Sequence, residues 1–581
     1  MTSKTTRAPL FFVLLVMLAP VAVSAFDELA VPVDDPVYEV IRVAELRGTV
    51  ARLSAVRPYT RSRILTLLDA VLADGARFSD HEREVVQRHY DRLAPPEESG
   101  PVELALVPER GQLVYSDGGD RQVAIGVRFR SNNMLDFTNV EAFHTNNIMD
   151  FTVLGTLFPF MSFAGNLGFS FDAPNPEAFA PYAFSKTWDR FHMLAEIRNT
   201  EVQGSLFSMV LGTDLAFSFL DDDLILRFSR FRRDWGYGNG NLSMSETARP
   251  FLALEGSARL APWLNIAHLN GTLAWAGNEA GGSRTREPAV PDERGVTHFK
   301  SFALQTFELF PLDWLYMYAT GSVVYAKYFE LGYLSPLLYN IIYQNVIGDL
   351  DNAGVEIGGA LTIAPFLRLH GALFVDEMEI TTLELIFTRP RNMFAYQLGA
   401  QGDLPFLPLT TLQFQYTKIE PFVYSHYDTG YPNFFALVDT TYTNDGENLG
   451  FRLPPNSDEF LVRLESLGLP GLRAGLEWRL IRHGTNDPDL VGDLAIFGDV
   501  AIEMDYRRLN AYPDKNFLFD GFYDWNNLIS IDADYRFEQI PLSIQGRYTL
   551  AHTFYRANAS GIPEPDPVTR HILGLSVSFW Y

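Results

Sequence analysis

The sequence predicts a mainly β protein: a large antiparallel transmembrane β-barrel of about 18 strands (16–20) behind a small N-terminal α-helical periplasmic or plug domain. Three observations carry that reading. Beyond residue 100, apolar and polar residues alternate with a period of two in segments of about ten residues. Aromatic rings are abundant, at 14% of the chain, with Phe 45, Tyr 26 and Trp 8. No stretch after the first 25 residues offers the ~20 uncharged apolar residues of a bilayer-spanning helix.

Residues 1–25 read as a signal peptide. Lys4 and Arg7 precede an uncharged apolar run from Pro9 to Val23, and Val23-Ser24-Ala25 supplies the small residues of a cleavage site. Residues 26–100 read as a helical domain and linker. Asp34 or Asp35 caps a first helix with Pro36 in its first turn, Val37, Ile41, Ala44 and Leu46 on its apolar stripe and Gly48 as its stop. Thr60 opens a second helix bearing Ile64, Leu67, Leu68 and Val71, and Ser79 with Glu82 forms a capping box for a third. Pro95 to Pro101 is a linker by composition. Ten arginines and no lysine face fourteen acids in residues 26–100, which fits either a docking or plug domain or a solvated bundle with salt-bridged faces.

Residues 101–581 form the barrel. Val123, Ile125, Val127 and Phe129 alternate with Ala124, Gly126, Arg128 and Arg130, and similar segments recur to the end of the chain. At ~27 residues per strand and connection, this length gives roughly 18 strands. Asn132-Asn133-Met134-Leu135-Asp136-Phe137-Thr138 nearly repeats as Asn146-Asn147-Ile148-Met149-Asp150-Phe151-Thr152, which suggests adjacent strands. In the last strand Leu573, Leu575, Val577, Phe579 and Tyr581 share a lipid-facing side, while Ile572, Gly574, Ser576, Ser578 and Trp580 face the lumen. Polar stretches at 277–295, 425–459, 511–527 and 555–569 read as outward loops. Their rings beside acids and amides suit sugar stacking, or alternatively an interfacial aromatic girdle.

Composition also excludes whole classes. A net charge of −25, from 46 basic and 71 acidic residues, is the wrong sign for gripping phosphate backbones, so no nucleic-acid partner is expected. With Cys 0, disulfides, thiolate metal sites and cysteine nucleophiles are ruled out. No Gly-x-Ser-x-Gly, Walker or His-Glu-x-x-His pattern occurs, and His144, His192, His268, His298, His370 and His426 each stand alone. No catalytic residue, metal site or cofactor is expected, and Asp221–Asp223 reads as a solvated turn.

One stretch points to a family. Arg230-Phe231-Arg232-Arg233-Asp234-Trp235-Gly236-Tyr237-Gly238 runs on through Leu242 and Ser245 to Ala248-Arg249-Pro250. This resembles the capsule assembly Wzi family, whose barrels carry an Arg, a Trp-Gly-x-Gly turn, a Leu-x-x-Ser and an Ala-x-Pro. Leu46-Arg47-Gly48 and Arg57-Pro58-Tyr59-Thr60-Arg61 are similar as well, while Tyr237 stands where the family often has proline. The resemblance implies a non-enzymatic outer-membrane lectin, plugged by a periplasmic helical bundle, that attaches capsular polysaccharide to the cell surface. Its last strand, ending Phe579, Trp580, Tyr581, would be read by the barrel assembly machinery. Arg230, Arg232, Arg233, Asp234, Trp235, Asn239 and Arg249 are the candidate ligand-binding residues. Their guanidiniums can fork onto acidic sugars or pair with interior carboxylates. The competing reading is a diffusion porin, which the −23 carried by residues 101–581 would make cation-preferring.

Overall fold

The computed structural model describes residues 28–94, 121–138, 143–173, 206–220, 222–273, 300–325, 330–336, 339–347, 351–363, 366–378, 392–426, 440–444, 447–484, 522–557 and 564–581, with a few shorter stretches. Residues 1–25, the linker expected after residue 94 and the loop expected at 277–295 lie outside the described residues.

Eighteen antiparallel strands close into a barrel. They begin with β1 (Gln122–Asp136), β2 (Phe143–Phe158), β3 (Met161–Ala173), β4 (Leu206–Phe219), β5 (Leu224–Phe231) and β6 (Phe251–Ala261). Next come β7 (Leu264–Leu273), β8 (Lys300–Leu312), β9 (Leu315–Tyr325), β10 (Asn352–Ile363), β11 (Leu367–Glu377) and β12 (Met393–Asp403). The wall ends with β13 (Thr410–Ile419), β14 (Ser457–Leu469), β15 (Leu472–Gly484), β16 (Phe522–Arg536), β17 (Leu542–Ala557) and β18 (Val568–Trp580). β18 pairs back onto β1, with Leu575 opposite Asn133 and Phe579 opposite Phe129, so no edge is left open.

The two-residue period sorts the faces as expected. Ile125, Phe129, Leu226, Phe228, Leu573 and Leu575 are exposed on the outer wall, whereas Ile572 is fully buried inside. The near-repeat does join neighbouring strands. Asn132 sits opposite Asn146, and a polar ladder crosses four strands through Ser576 Oγ to Asn132 Oδ1 (2.6 Å), Asn132 Nδ2 to Asn146 Oδ1 (3.1 Å) and Asn146 Nδ2 to Ser170 Oγ (2.7 Å). β14, whose start at Ser457 falls inside the stretch read as an outward loop, escapes the alternation reading. In β14 the lumen face carries Glu459, Arg463 and Glu465, and such charge density imitates a solvated loop.

Alternate connections, such as 159–160, 262–263, 313–314 and 470–471, are tight turns, and they define one end of the barrel. No helix among the described residues is long and apolar enough to cross a membrane; strands would do the crossing.

The helical domain covers the short-turn end. α1 (Val37–Leu46), α2 (Arg61–Ala73) and α3 (Asp80–Leu93) start as the sequence suggests. Asp35 accepts from Val37 N (2.9 Å), Thr60 accepts from Arg63 N (3.1 Å), and Ser79 with Glu82 completes the capping box. The charges do both things the sequence allows: Arg77–Asp74 and Arg83–Asp80 are surface pairs within the helical domain, and others dock it. Arg52 reaches Asp313 (2.7 Å), His81 meets Gly468 O (2.7 Å) and Arg88 meets Glu538 (2.5 Å), each on a different turn. Arg47 bridges Glu82 (2.8 Å) and Asp403 (2.9 Å), and Leu409 and Leu467 enter the helical domain's own core.

Inside the barrel, connections from the long-loop end fold inward. Leu242, Met244, Tyr424, Tyr442, Leu449 and Phe451 pack against Phe302, Phe374, Ala395, Ile481 and Ile572 of the wall as one apolar layer. Tyr424 and Tyr442 stack at 5.4 Å and 19° and are fully buried. These rings of the 425–459 region and its neighbour Tyr424 are therefore core, neither sugar platforms nor an interfacial girdle.

Candidate functional site

Asp234, Trp235 and Tyr237 meet Arg57 and Leu53 at one place, the junction between the helical domain and the inward loop 232–250. Val56 pairs with Trp235 and Arg57 with Asp234 as a short antiparallel ladder. Gly236 N donates to Ala55 O (3.0 Å), and Arg57 Nη2 donates to both Asp234 Oδ2 (2.9 Å) and Gly236 O (2.7 Å). Gly236 has φ +144°, and a Cβ there would come within 2.2 Å of Asn241 Oδ1. Asn241 in turn donates to Asp234 (2.5 Å) and accepts from Gly238 N (2.9 Å), closing the turn.

The electrostatics are those of a buried pair. Burial opposes the Arg57 charge, but Asp234, Tyr59 and Glu246 more than offset it, and the guanidinium titrates above its usual value. Burial lifts the Asp234 carboxyl above its ordinary range even with Arg57 beside it. Glu246 is pushed up to about 6, first by burial and then by Asp234.

Tyr237, the departure from the family pattern, is an anchor. Its hydroxyl donates to Leu53 O (3.1 Å) and Glu45 (3.3 Å) of the helical domain, its ring meets Tyr316 edge-on at 5.1 Å, and Arg368 lies 4.3 Å over its face. Asn239 is held by one wall glutamine: its N–H donates to Gln415 Oε1 (2.8 Å) and its carbonyl accepts from Gln415 Nε2 (3.1 Å). Gln397 and Gln401 likewise donate to Gly240 O and Tyr237 O, both at 2.8 Å.

The other candidates divide. Arg233 is buried; it donates to Glu255 (3.0 Å) and Ser229 Oγ (2.9 Å) and lies between the rings of Phe231 and Phe251 at 4.8 and 4.9 Å. It is an interior strut. Arg232 donates to Glu246 O (3.4 Å), and Arg249 pairs with Glu447 (3.1 Å) towards the long-loop end. Arg230 is not brought to the group: it stands opposite Leu252 and shares the outward side of β5 with Leu226 and Phe228, because strand parity sends every even residue there. Within the acid run, Asp222 accepts from Thr60 (3.2 Å), Ser62 and Ser218, and Asp223 pairs with Arg259, so these two acids are occupied by docking and turn contacts.

Sequence reasoning missed the wall's contribution. Glu308 accepts from Ala55 N (2.8 Å) and Ser54 Oγ (2.6 Å), and Glu356 accepts from Ser243 and Tyr318. The available signal was a run of uncharged amides on alternate residues, Gln397, Gln401, Gln413 and Gln415, facing inward. A cleft of about 280 Å³ remains between residues 52–63 and the β5–β8 wall, lined by Arg57, Arg63, Arg227, Glu255, Asn265 and Glu308.

No protein-family model matches the sequence, and no curated relative matches it. Among solved structures, Wzi of Escherichia coli, described as a carbohydrate-binding β-barrel of the outer membrane involved in group 1 capsule assembly, aligns over 95% of this chain and 99% of its own length. The TM-score is 0.51 at 12% identity. OccAB2 of Acinetobacter baumannii (TM-score 0.41, 10% identity, 79% of this chain and 98% of that one) is a looser match. OpdK of Pseudomonas aeruginosa is looser still, with TM-score 0.38, 10% identity and the same coverage. The chain thus has the fold of the Wzi barrel, a closed 18-stranded β-barrel of outer-membrane type.

Proposed function

We propose that this protein is a non-enzymatic outer-membrane anchor for surface polysaccharide, capsular polysaccharide being the leading candidate. The reading places the helical domain on the periplasmic side, the long-loop face outside the cell, and residues 1–25 as a cleaved leader. It makes outer-membrane lipid the surrounding partner and the final strand the segment that the barrel assembly machinery reads. One observation carries it: the helical domain covers the short-turn end while an apolar layer fills the lumen above it, an arrangement that favours a surface role over solute diffusion. The carbohydrate-binding description of Wzi supplies the ligand class. Arg249, near the long-loop end and paired with Glu447, is the residue best placed among the candidates to exchange a protein carboxylate for an acidic sugar. Arg233, Asp234, Trp235 and Asn239 hold the support beneath it.

The test is direct. Purified protein in planar bilayers is expected to be electrically silent and to retain acidic capsular glycan on a column, with retention weakened by Arg249→Ala. A steady, large, cation-selective conductance without glycan retention would replace this reading with the diffusion porin.

A further inference from the structure

Between β9 and β10, residues 330–336 and 339–347 lie on the outside of the barrel. Parity identifies the face: Tyr316 and Glu308 point inward to the helical domain's Ala55, so Met317, Val323 and Tyr325 of β9 and Ala303, Gln305 and Leu309 of β8 point outward. Low on this hairpin the outward residues are exposed, as Leu309 and Met317 are. Higher up, Ala303, Gln305, Val323 and Tyr325 are buried, because residues 330–336 and 339–347 fold down over them. Tyr325 and Tyr333 meet at 4.8 Å, Tyr333 and Tyr343 at 5.2 Å, and Phe307 and Tyr339 at 6.2 Å.

The wall beneath this strap is polar where the neighbouring wall is apolar. Asn270 accepts from Tyr325 Oη (3.0 Å) and donates to Tyr333 O (3.4 Å), Gln305 donates to Pro336 O, and His268 lies on the same outward side. In register beside them on β6, Leu252 and Leu254 are exposed and lipid-facing. The helix of the strap, α4 (Asn340–Ile347), is arranged inside out. Its polar Asn340 and Gln344 are buried against the barrel, while Ile342 is 64% and Val346 76% exposed, as is Leu331 (74%) just before it. Residues 331–348 contain no charged side chain, and the exposed Asn345 ties its amide back to Ile341 O (3.1 Å).

We propose that residues 331–336 and 339–347 are a membrane-embedded strap whose exposed face contacts lipid acyl chains, continuing the apolar belt across a wall patch that would otherwise present His268, Asn270 and Gln305 to hydrocarbon. The occupant of that face is lipid, by continuity with Leu252, Leu254 and Met317 on either side of it.

The chain lacks cysteine, so single-cysteine variants Ile342→Cys and Val346→Cys can be spin-labelled without further changes. Met317→Cys serves as a lipid-facing reference, and Arg88→Cys in the helical domain as an aqueous one. In liposomes the two strap labels are expected to match the Met317 reference, relaxed by oxygen and shielded from a water-soluble nickel chelate. Chelate accessibility like that of the Arg88 reference, or spin–spin broadening between copies showing a second chain seated on the face, would overturn the proposal. Aqueous accessibility at Met317 itself would instead count against the membrane barrel.

Discussion

The two ends of the lumen are packed by different physics. At the short-turn end the helical domain docks through arginines and backbone contacts on several separate turns, centred on the Arg57–Asp234 pair. Towards the long-loop end, loops from the barrel itself merge with the wall into one dry apolar layer. The first closure is an assembled joint, built from ion pairs that cost desolvation to form. The second is ordinary core, held by buried area and ring packing. The difference teaches that packing of the lumen and attachment of the helical domain rest on separate sets of contacts.

The sharpest way to break the joint is Arg57→Ala. It strands a buried carboxylate at Asp234, and loss of a buried partner costs about 3–5 kcal/mol. The helical domain should become protease-sensitive in detergent while the 18-stranded sheet keeps its circular dichroism. Adding Asp234→Asn should restore much of the loss, since the orphaned charge is then removed. Removal of core from the other closure, by Phe302→Ala, is expected to cost about 3–4 kcal/mol through lost packing and cavity formation. It should lower heat stability of the whole barrel and raise bilayer leakage, leaving protease resistance of the helical domain intact. A barrel that leaks on Arg57→Ala but not on Phe302→Ala would invert the comparison.

Acid should separate the two within the joint itself. His89 is held down to about 4, by burial and then by Arg92, so the docked state refuses a proton that an unfolded histidine accepts near 6.5. Stability from that site is lost as pH falls from about 6.5 towards 4. Glu246, raised to about 6, acts oppositely: its contribution is full below about 4.5 and lost as pH rises through 6. Between pH 7 and 5, acid should therefore promote proteolysis of the helical domain more strongly in Glu246→Gln, and should protect it in His89→Gln, where only the opposing site is left. Smaller again is Ser79→Ala, which deletes the α3 capping box and should cost about 1 kcal/mol of helical-domain stability. Smallest is Arg52→Ala, whose exposed pair with Asp313 should be worth less than about 1 kcal/mol in a denaturation midpoint.

Much of this architecture is legible from residue order. Strand alternation, the three helix caps and the strand number all follow from local rules, because each depends on neighbours within a few positions. The face assignment of β18 shows at Ile572, buried inside, against Leu573 and Leu575, exposed outside. What stayed hidden was non-local. Nothing near Asp234 says that Arg57 lies against it, and nothing near Tyr442 says that its ring is interior rather than offered to sugar. Arg230 was grouped with Arg232 and Arg233 by adjacency, whereas pleating alone puts it on the opposite side of the wall. The strap had a local signal, the uncharged run 331–348, but it is meaningful only once the outward polar residues of β7 and β8 are seen beneath it.

The seam between β18 and β1 imposes an order in time. The first and last staves of the cylinder are separated by most of the polypeptide, so the wall cannot shut until nearly the whole chain has been made. The inward loops and the helical domain, encoded earlier, can therefore settle against a sheet that is still ajar. A substitution that slows their settling would trap an empty shell, and would be detected as a misassembled product rather than as a weakened native state.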